Sequence, residues 1–342
     1  MNQSPDSRCA FGAFLLLICT AVPVHAGQFR SDPFQTRDQD PFTLVYGQPL
    51  PVAARLPGTG RTTYAVTLDI TNTLSIDETR DGDETLLLDF ESYVLTTSLR
   101  YSPAENWALK IDIPLIHRGN GFLDNTIDRW HSMFGLPRSS RAEVADNQFS
   151  ISHTSNGVAD VDISASADGI GDTQLSIGHQ LVASERSALS LWAAVDLPTG
   201  DRDTLAGNGV ADYSAWIAAE NRLNAKWAID ANAGVVLPGN SVIPSLENRE
   251  TVAFGHMGLH WSIVPIVDLK LQLAAHSSYY SGSSMEMLGR SFILVFGGTV
   301  RLGRCSALDI GVSEDIKVGS APDVSFLASW ASGFGDCGKD PG

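Results

Sequence analysis

The sequence predicts an all-β protein, a transmembrane antiparallel up-and-down β-barrel of about 12 strands. Three observations predict this fold class. Successive segments alternate between apolar and polar side chains with the period of two that is typical of a β-strand. Short and long connections follow one another in turn, and aromatic residues collect at strand ends beside the short turns. A soluble β-sandwich gives no reason for either regularity.

The clearest alternation lies in a hairpin whose arms are joined by a turn at residues 102–106. We expect this turn to face the periplasm, with Trp107 at the membrane edge. Leu86, Leu88 and Phe90 precede the hairpin in the opposite phase, which predicts either a β-bulge or a strand that protrudes beyond the membrane. The predicted lipid face of the hairpin comprises Leu95, Leu99, Leu109 and Ile111.

Length and charge narrow the function classes. The 342 residues suffice for one large β domain. A net charge of -16 without a basic cluster argues against nucleic-acid binding, which depends on Lys and Arg contacts to phosphates.

The N-terminus has the pattern of an export signal. Arg8 precedes an apolar run at 11–19, and Ala26 ends a small-residue cleavage site, so residues 1–26 are predicted to be a signal peptide. The apolar run is too short to span a bilayer. With the barrel pattern, the signal predicts the outer membrane of a Gram-negative bacterium. Cleavage leaves Cys305 and Cys337, which we expect to form a disulfide in that oxidising compartment.

The remaining chain divides into three parts. Residues 27–60 lack periodicity and are predicted to be a periplasmic or plug-like leader, and residues 61–334 form the barrel. Within the barrel, residues 117–169 break the alternation and are read as a long extracellular segment. Asn125 is a candidate N-cap for a short helix in that segment. Residues 335–342 are predicted to be a periplasmic tail.

Four sequence segments carry a family resemblance. The run GNGFLDNTIDRWHSMFGLPRSSR at residues 119–141, with YGQPLP at 46–51, resembles an uncharacterised bacterial outer-membrane β-barrel family that is known only as a domain of unknown function. GIGD at 169–172 and DLPTGD at 196–201 are also similar to outer-membrane transporters of the aromatic-degradation type. The resemblance implies an outer-membrane barrel without an established activity, and it brings no catalytic residues to this chain.

One short motif indicates a possible hydrolase. His153, Ser155 and Asn156 lie in the sequence ISHTSNG, which is similar to the His-x-Ser-Asn segment of outer-membrane phospholipase A and, more loosely, of lipid A deacylases. A His two residues before a Ser on one strand face is able to act as base toward the hydroxyl. This arrangement makes a lipid hydrolase the enzyme alternative. The competing interpretation is a chance match in a polar loop rich in Ser and Asn.

Charged side chains on the predicted inner face indicate a polar lumen. We expect neither a metal site nor another cofactor, because the inward histidines lack Cys or paired carboxylates at ligand spacing. The acidic loops at 77–84 and 201–203 are either solvated or bridge divalent ions to lipopolysaccharide phosphates. The predicted lumen-lining residues are Arg100, Lys110, Asp112, Asp230, His256, His260, Lys270, Arg301 and Asp309.

These observations predict a porin-like protein that acts as a passive pore or uptake channel for a small-molecule solute. A closed structural or binding barrel and the lipid hydrolase remain the alternatives. The expected partners are outer-membrane lipid and lipopolysaccharide, the barrel-assembly machinery that inserts such proteins, and the solute.

Overall fold

A computed structural model describes residues 32–121, 148–303, 305–317, 319–322 and 324–334. The predicted signal peptide, the Asn125 helix, Cys337 and the tail lie outside these residues, so the disulfide with Cys305 stays a prediction. The described helix is α1 (Pro41–Leu44), and no helix in the described ranges is long and apolar enough to cross a membrane.

Strands account for most of the described chain. Numbered along the sequence they are β1 (Thr62–Glu78), β2 (Glu84–Ala104), β3 (Trp107–Gly119), β4 (Ser150–Ser155), β5 (Val158–Ile163), β6 (Ala167–Ile170), β7 (Thr173–Ala183), β8 (Ser187–Leu197), β9 (Asp212–Arg222), β10 (Trp227–Leu237), β11 (Glu247–Asn248), β12 (Val252–Val264), β13 (Val267–His276), β14 (Tyr280–Ser281), β15 (Ser291–Arg301), β16 (Ser306–Asp315) and β17 (Val324–Phe334).

Twelve of the described strands close into one antiparallel barrel. Each of them pairs with its neighbour in the chain, β3 pairs with β7, and β1 pairs with β17 to complete the ring. The other short strands add to the edges: β4 and β5 extend from β2, β6 pairs with the end of β3, and β11 pairs with β14. The predicted fold class and strand number are confirmed.

The outward side chains form an apolar belt. On β12 and β13, Met257, Trp261, Leu269 and Leu271 are exposed, whereas the side chains between them point inward and are buried. A water-soluble protein does not expose an apolar surface of this extent, but lipid covers it on a transmembrane barrel. The protein is therefore a β-barrel of the bacterial outer membrane.

Aromatic side chains mark the membrane edge beside the short turns. Trp227 and Trp261 stack with ring centroids 5.4 Å apart and an interplanar angle of 2°, and Tyr64 contacts Trp330 edge to face. Trp107 begins β3 directly after the turn of the first predicted hairpin. Amphipathic rings of this kind are typical of the headgroup level.

The phase change before the predicted hairpin has a different cause from a bulge. β2 is continuous and keeps one inward phase that includes Leu88, Phe90, Val94 and Thr96. Its upper part rises beyond the membrane, where apolar side chains face the interior. Its lower part spans the membrane, where apolar side chains face lipid. The protruding strand is thus the correct alternative.

The segment predicted as a long loop contains regular structure. β3 continues to Gly119, and β4, β5 and β6 occupy residues that lack a clear alternation. These strands form because the protruding part of β2 offers an open edge, on which Glu84 to Asp89 pair with β4. The described part of the predicted extracellular segment therefore contains short strands.

Candidate functional site

The described part of the leader, residues 32–60, lies inside the barrel. Its backbone N–H groups donate hydrogen bonds to side chains on separate parts of the wall. Phe34 donates to Gln272 on β13 at 2.9 Å, and Gly47 donates to Asp212 on β9 at 2.8 Å. Further along, Val52 and Leu56 donate to Asn232 on β10 and Gln180 on β7. Contacts with strands on several sides of the ring place this segment in the lumen.

The leader follows a U-shaped path through the lumen. It rises to Tyr46, whose hydroxyl meets Asn248 and Tyr280 of the extracellular loops, and returns to Gly60, which donates to the Ser102 carbonyl at the periplasmic end. Arg37 fastens the two limbs. Its guanidinium donates to the carbonyl oxygens of Leu44, Tyr46 and Gln48.

The start of α1 carries a buried acidic group. Asp40 accepts a hydrogen bond from the Phe42 N–H as the N-cap of the helix. Burial, together with the neighbouring Asp38, raises the pKa of Asp40 well above its ordinary value. Asp38 in turn accepts a hydrogen bond from His276 on β13, which ties this part of the leader to the wall.

The wall makes room for the leader because many of its inward side chains are small. Trp192 and Trp216 are exceptions; they stack with centroids 5.8 Å apart, and Gly178 leaves the space that the Trp192 ring occupies. Without the leader, the positions with small side chains would border open space. They include Ala65, Thr67, Thr71, Thr96, Ser98, Ser190, Ser214, Ala218, Ser325 and Ser329.

An apolar lid covers the extracellular end. The protruding part of β2 and strand β4 contribute buried apolar side chains that pack in one cluster with the loops at 238–251 and 277–290 and with Tyr46 of the leader. The Tyr46 ring stacks on Tyr279 with centroids 4.7 Å apart. The leader and the lid therefore share one apolar core. Its members from strands and loops include Leu86, Leu88, Phe90, Ile151, Ile243, Met285, Met287 and Leu288.

His153 belongs to this lid and fastens it. The ring is fully buried, with Nδ1 3.0 Å from Asp160 of β5 and Nε2 2.9 Å from Glu84 of β2. Both ring nitrogens thus face carboxylates, so neither points to Ser155. Asn156 donates to the Ser155 hydroxyl at 3.2 Å. The three hydrolase candidates are neighbours in the chain, but the structure does not pair the His153 ring with the Ser155 hydroxyl.

The predicted lumen-lining residues occupy inward positions in the periplasmic half, and most of them form ion pairs. Lys110 bonds to Asp112 at 2.6 Å and Lys270 to Asp309 at 2.9 Å, while Arg301 pairs with Asp268. This half of the lumen is close to electrically neutral. Among the other predicted lumen-lining residues, Asp230 bridges His256 and His260. Arg100 on β2 lies opposite Lys110 on β3.

A cavity lies higher in the lumen, between the leader and the wall. It leaves about 30 Å³ for water-sized groups, within a wider empty region of about 550 Å³ that includes open solvent. Its wall side carries Asp69, Asp172 and Asp196 besides the ion-paired Asp112, and the leader contributes Arg37 as a cationic group. The remaining lining is polar or apolar and consists of Gln39, Leu44, Gln48, Leu50, Val94, Thr96, Pro114, Ile116, Gly171, Gln174 and Ala206.

The segments GIGD and DLPTGD meet at the rim of this cavity. The Thr199 hydroxyl donates to the Gly171 carbonyl at 2.8 Å, and the Gly200 N–H donates to Asp172 at 2.7 Å. Asn208 donates its N–H to the same carboxylate. Burial raises the pKa of Asp172 to about 6; these N–H groups oppose the rise and Asp212 adds to it.

Sequence reasoning missed this acidic wall. Asp69 was recognisable as inward, since it alternates with apolar residues on the first strand, but its neighbours in space come from distant strands. Asp172 belongs to the GIGD segment and Asp196 to the DLPTGD segment, and neither residue was assigned a role from the sequence. Among the described residues, no group of three or more His, Cys, Asp or Glu is placed to hold a metal ion.

Comparisons with known proteins agree with this architecture. The family described as "Protein of unknown function (DUF3187)" matches residues 11–334. No curated protein matches the chain. The COG4313 outer membrane channel from Pseudomonas putida F1 is 15% identical with a TM-score of 0.54, over 82% of this chain and 97% of that one.

Two further solved structures are more distant. The NanC porin is 6% identical with a TM-score of 0.44 and covers 80% of this chain and 99% of its own. A TodX deltaS2S3 mutant monoaromatic hydrocarbon channel is 11% identical with a TM-score of 0.41, over 86% and 93%. At 15% identity the likeness to the COG4313 channel concerns the fold alone.

Proposed function

The chain belongs to the DUF3187 family of proteins of unknown function, and we propose that it is a gated outer-membrane channel for small molecules. One observation carries the proposal. The lumen is filled by a separate chain segment rather than by the side chains of the wall. A barrel that served only as a scaffold would be closed by large inward side chains. A wall of small polar residues around a leader leaves a water-accessible path once the leader moves.

The way in which the leader is held supports gating. The described leader joins no strand ladder of the barrel. It is held by individual hydrogen bonds, by the ion pairs of Arg55 with Glu220 and of Asp38 with His276, and by apolar contacts with the lid. Each such hydrogen bond contributes only about 1 kcal/mol net, whereas barrel closure depends on complete strand ladders. The leader is therefore able to leave the lumen while the barrel remains intact. In the alternative of a permanently closed binding barrel, the leader would never leave the lumen.

The acidic extracellular loops and the expected partners fit this function. We expect the loops to meet lipopolysaccharide phosphates through divalent cations, the barrel-assembly machinery to insert the chain, and a small solute to pass. The lipid hydrolase receives no support from the geometry, because both nitrogens of His153 are engaged by carboxylates.

Gly47 offers a specific way to displace the leader. A Cβ atom built there would lie 2.8 Å from the Asp212 Cβ and 2.9 Å from the Asp196 Cβ, distances that a packed wall does not allow. Gly47→Val should prevent the upper part of the leader from seating. Gly58→Val is the matched control in the same segment, since a Cβ at Gly58 meets nothing closer than the Arg61 Nε at 3.6 Å.

Planar-bilayer recordings of the full mature chain test the channel. We expect rare, brief openings for the natural chain and for Gly58→Val, and sustained conductance for Gly47→Val. Heat-dependent gel migration verifies that each barrel is folded. If folded Gly47→Val carries no current, the closed binding barrel is the better description and the channel proposal is wrong.

A further inference from the structure

We propose that the channel, once the leader is displaced, selects small monovalent cations over anions, with Asp69, Asp172 and Asp196 supplying the selecting field. This inference rests on the proposed channel and adds the class of solute that it conducts. The three residues line the same cavity from β1, from the β6–β7 connection and from β8. Carboxylates around a narrow passage attract cations and repel anions.

The charge balance at the cavity is the first support. In the described structure none of these three carboxylates has an ion-pair partner within 4.0 Å, in contrast to the paired carboxylates lower in the lumen. Asp69 accepts a hydrogen bond from the Thr36 hydroxyl, and Asp172 accepts bonds from two backbone N–H groups. Donors of this kind favour the charged form of a carboxylate.

The guanidinium of Arg37 offsets part of this charge only while the leader is seated. Its N–H groups donate to three carbonyl oxygens of the leader, so they are not shared with the wall. Arg37 also moves with the leader, because every one of its recorded hydrogen bonds ends on leader backbone. Opening the channel therefore removes the positive group and leaves the carboxylates on the wall.

Gln39 supplies an independent observation. This leader residue lines the cavity and is 4% exposed, and its Oε1 atom has no hydrogen-bond donor. Its amide nitrogen is already used, since it donates to the Arg37 carbonyl at 3.0 Å. A buried acceptor without a donor costs free energy unless a donor or a cation occupies the space beside it. The cavity thus presents acceptors from both of its sides.

The spacing of the acceptors points to a passing ion rather than a bound metal. The described His, Cys, Asp and Glu residues form no group that could coordinate one ion together. Divalent ions need several oxygen ligands at about 2.0–2.6 Å, whereas a hydrated monovalent cation responds to the summed field. The site is suited to potassium, sodium or a small ammonium ion in transit.

The test uses the Gly47→Val chain in a planar bilayer under a potassium chloride gradient. We expect potassium to be about tenfold more permeant than chloride, as judged from the reversal potential. Combining Asp69→Asn with Asp196→Asn should lower that ratio to below about twofold, because Asn keeps an acceptor oxygen but carries no charge. Asp81→Asn, an exposed change in the turn between β1 and β2, should leave the ratio as it was.

Each result separates the two proposals. Current with equal permeability to potassium and chloride, or a ratio that the double variant does not change, overturns cation selection and leaves the channel intact. Absence of current in every folded variant overturns the channel and cation selection together. If the double variant fails to fold, Asp69→Asn alone gives the same reading with a smaller expected change.

Discussion

The two halves of the lumen treat buried charge in opposite ways. In the periplasmic half, Lys270 on β13 pairs with Asp309 on β16 across the intervening strand β15, and Arg301 pairs with Asp268 on the neighbouring strand. In the extracellular half, Asp69 and Asp196 face a cavity without such partners. Paired charges on the wall give a fixed, neutral interior. Unpaired charges cost free energy, so their presence on the same barrel indicates a requirement other than stability.

The leader contacts both halves of the lumen. It covers the acidic wall through single hydrogen bonds, and its Arg37 lies against that wall while donating to the leader itself. The leader also passes through the paired half, where Phe34 donates to Gln272, but the charges there pair with one another. We therefore interpret the periplasmic half as the structural base of the barrel and the extracellular half as the part that changes when the channel opens.

The largest expected effect breaks a pair in the structural half. Lys270→Met leaves the partly buried Asp309 carboxylate with the Thr299 hydroxyl as its one remaining donor among the described residues. We expect the free energy of unfolding to fall by about 3–5 kcal/mol. Urea titration of the protein in lipid vesicles measures it. Lys226→Met, at an exposed turn position, is the control, and a loss of equal size there would show that the pair is not the cause.

The next effect concerns the lid above the acidic half. His153→Ala removes the donor shared by Glu84 and Asp160, and we expect a loss of about 1–3 kcal/mol with protease cleavage confined to the β4–β5 hairpin. Ser155→Ala, on the same strand, should leave the cleavage pattern unchanged. Limited proteolysis of whole cells, followed by mass spectrometry, reads both. An intact hairpin in His153→Ala would mean that the apolar core alone holds the lid.

A smaller effect distinguishes the acidic half. Asp196→Asn removes a buried charge that has no ion-pair partner among the described residues, and its side-chain oxygen remains able to accept from Gln174. We expect the free energy of unfolding to rise by no more than about 1 kcal/mol, because burying the unpaired charge of Asp196 costs free energy. The same urea titration applies. A loss comparable to that of Lys270→Met would remove the contrast between the two halves.

The smallest effect is a pH dependence of selection. Burial raises the pKa of Asp172 to about 6, so this carboxyl is charged above that pH and becomes neutral below it. We expect the potassium-to-chloride permeability ratio of Gly47→Val to fall by about twofold from pH 8 to pH 5. Asp172→Asn should flatten this part of the dependence. A ratio that rises on acidification would contradict the assignment.

Periodicity in the sequence predicted the barrel because each strand reports its own environment. The alternation of Leu269 and Leu271 with Lys270 is local, and it follows from lipid on one side and a polar interior on the other. The same local reading placed Lys270 and Asp309 on the inner face. Their pairing was not predictable, since it depends on the register between β13, β15 and β16.

The position of the leader and the formation of the lid could not be predicted from local periodicity. Gly47 contacts Asp212 across 165 positions of sequence, and nothing in the scattered composition of the leader marks that contact. β4 has too few residues to show a clear period, and it forms because the protruding edge of β2 supplies its hydrogen bonds. Contacts between distant segments are set by the closed ring and not by local preference.

The sequence by itself thus determined the class of fold, the lipid-facing belt and the inward position of its charges, since two faces of a strand in two solvents impose a period of two. The tertiary structure decided which of those charges are paired, that a leader fills the lumen, and that Asp69, Asp172 and Asp196 share one cavity. The reason is geometric. Only closure of the ring brings strands that are far apart in the chain around a common interior.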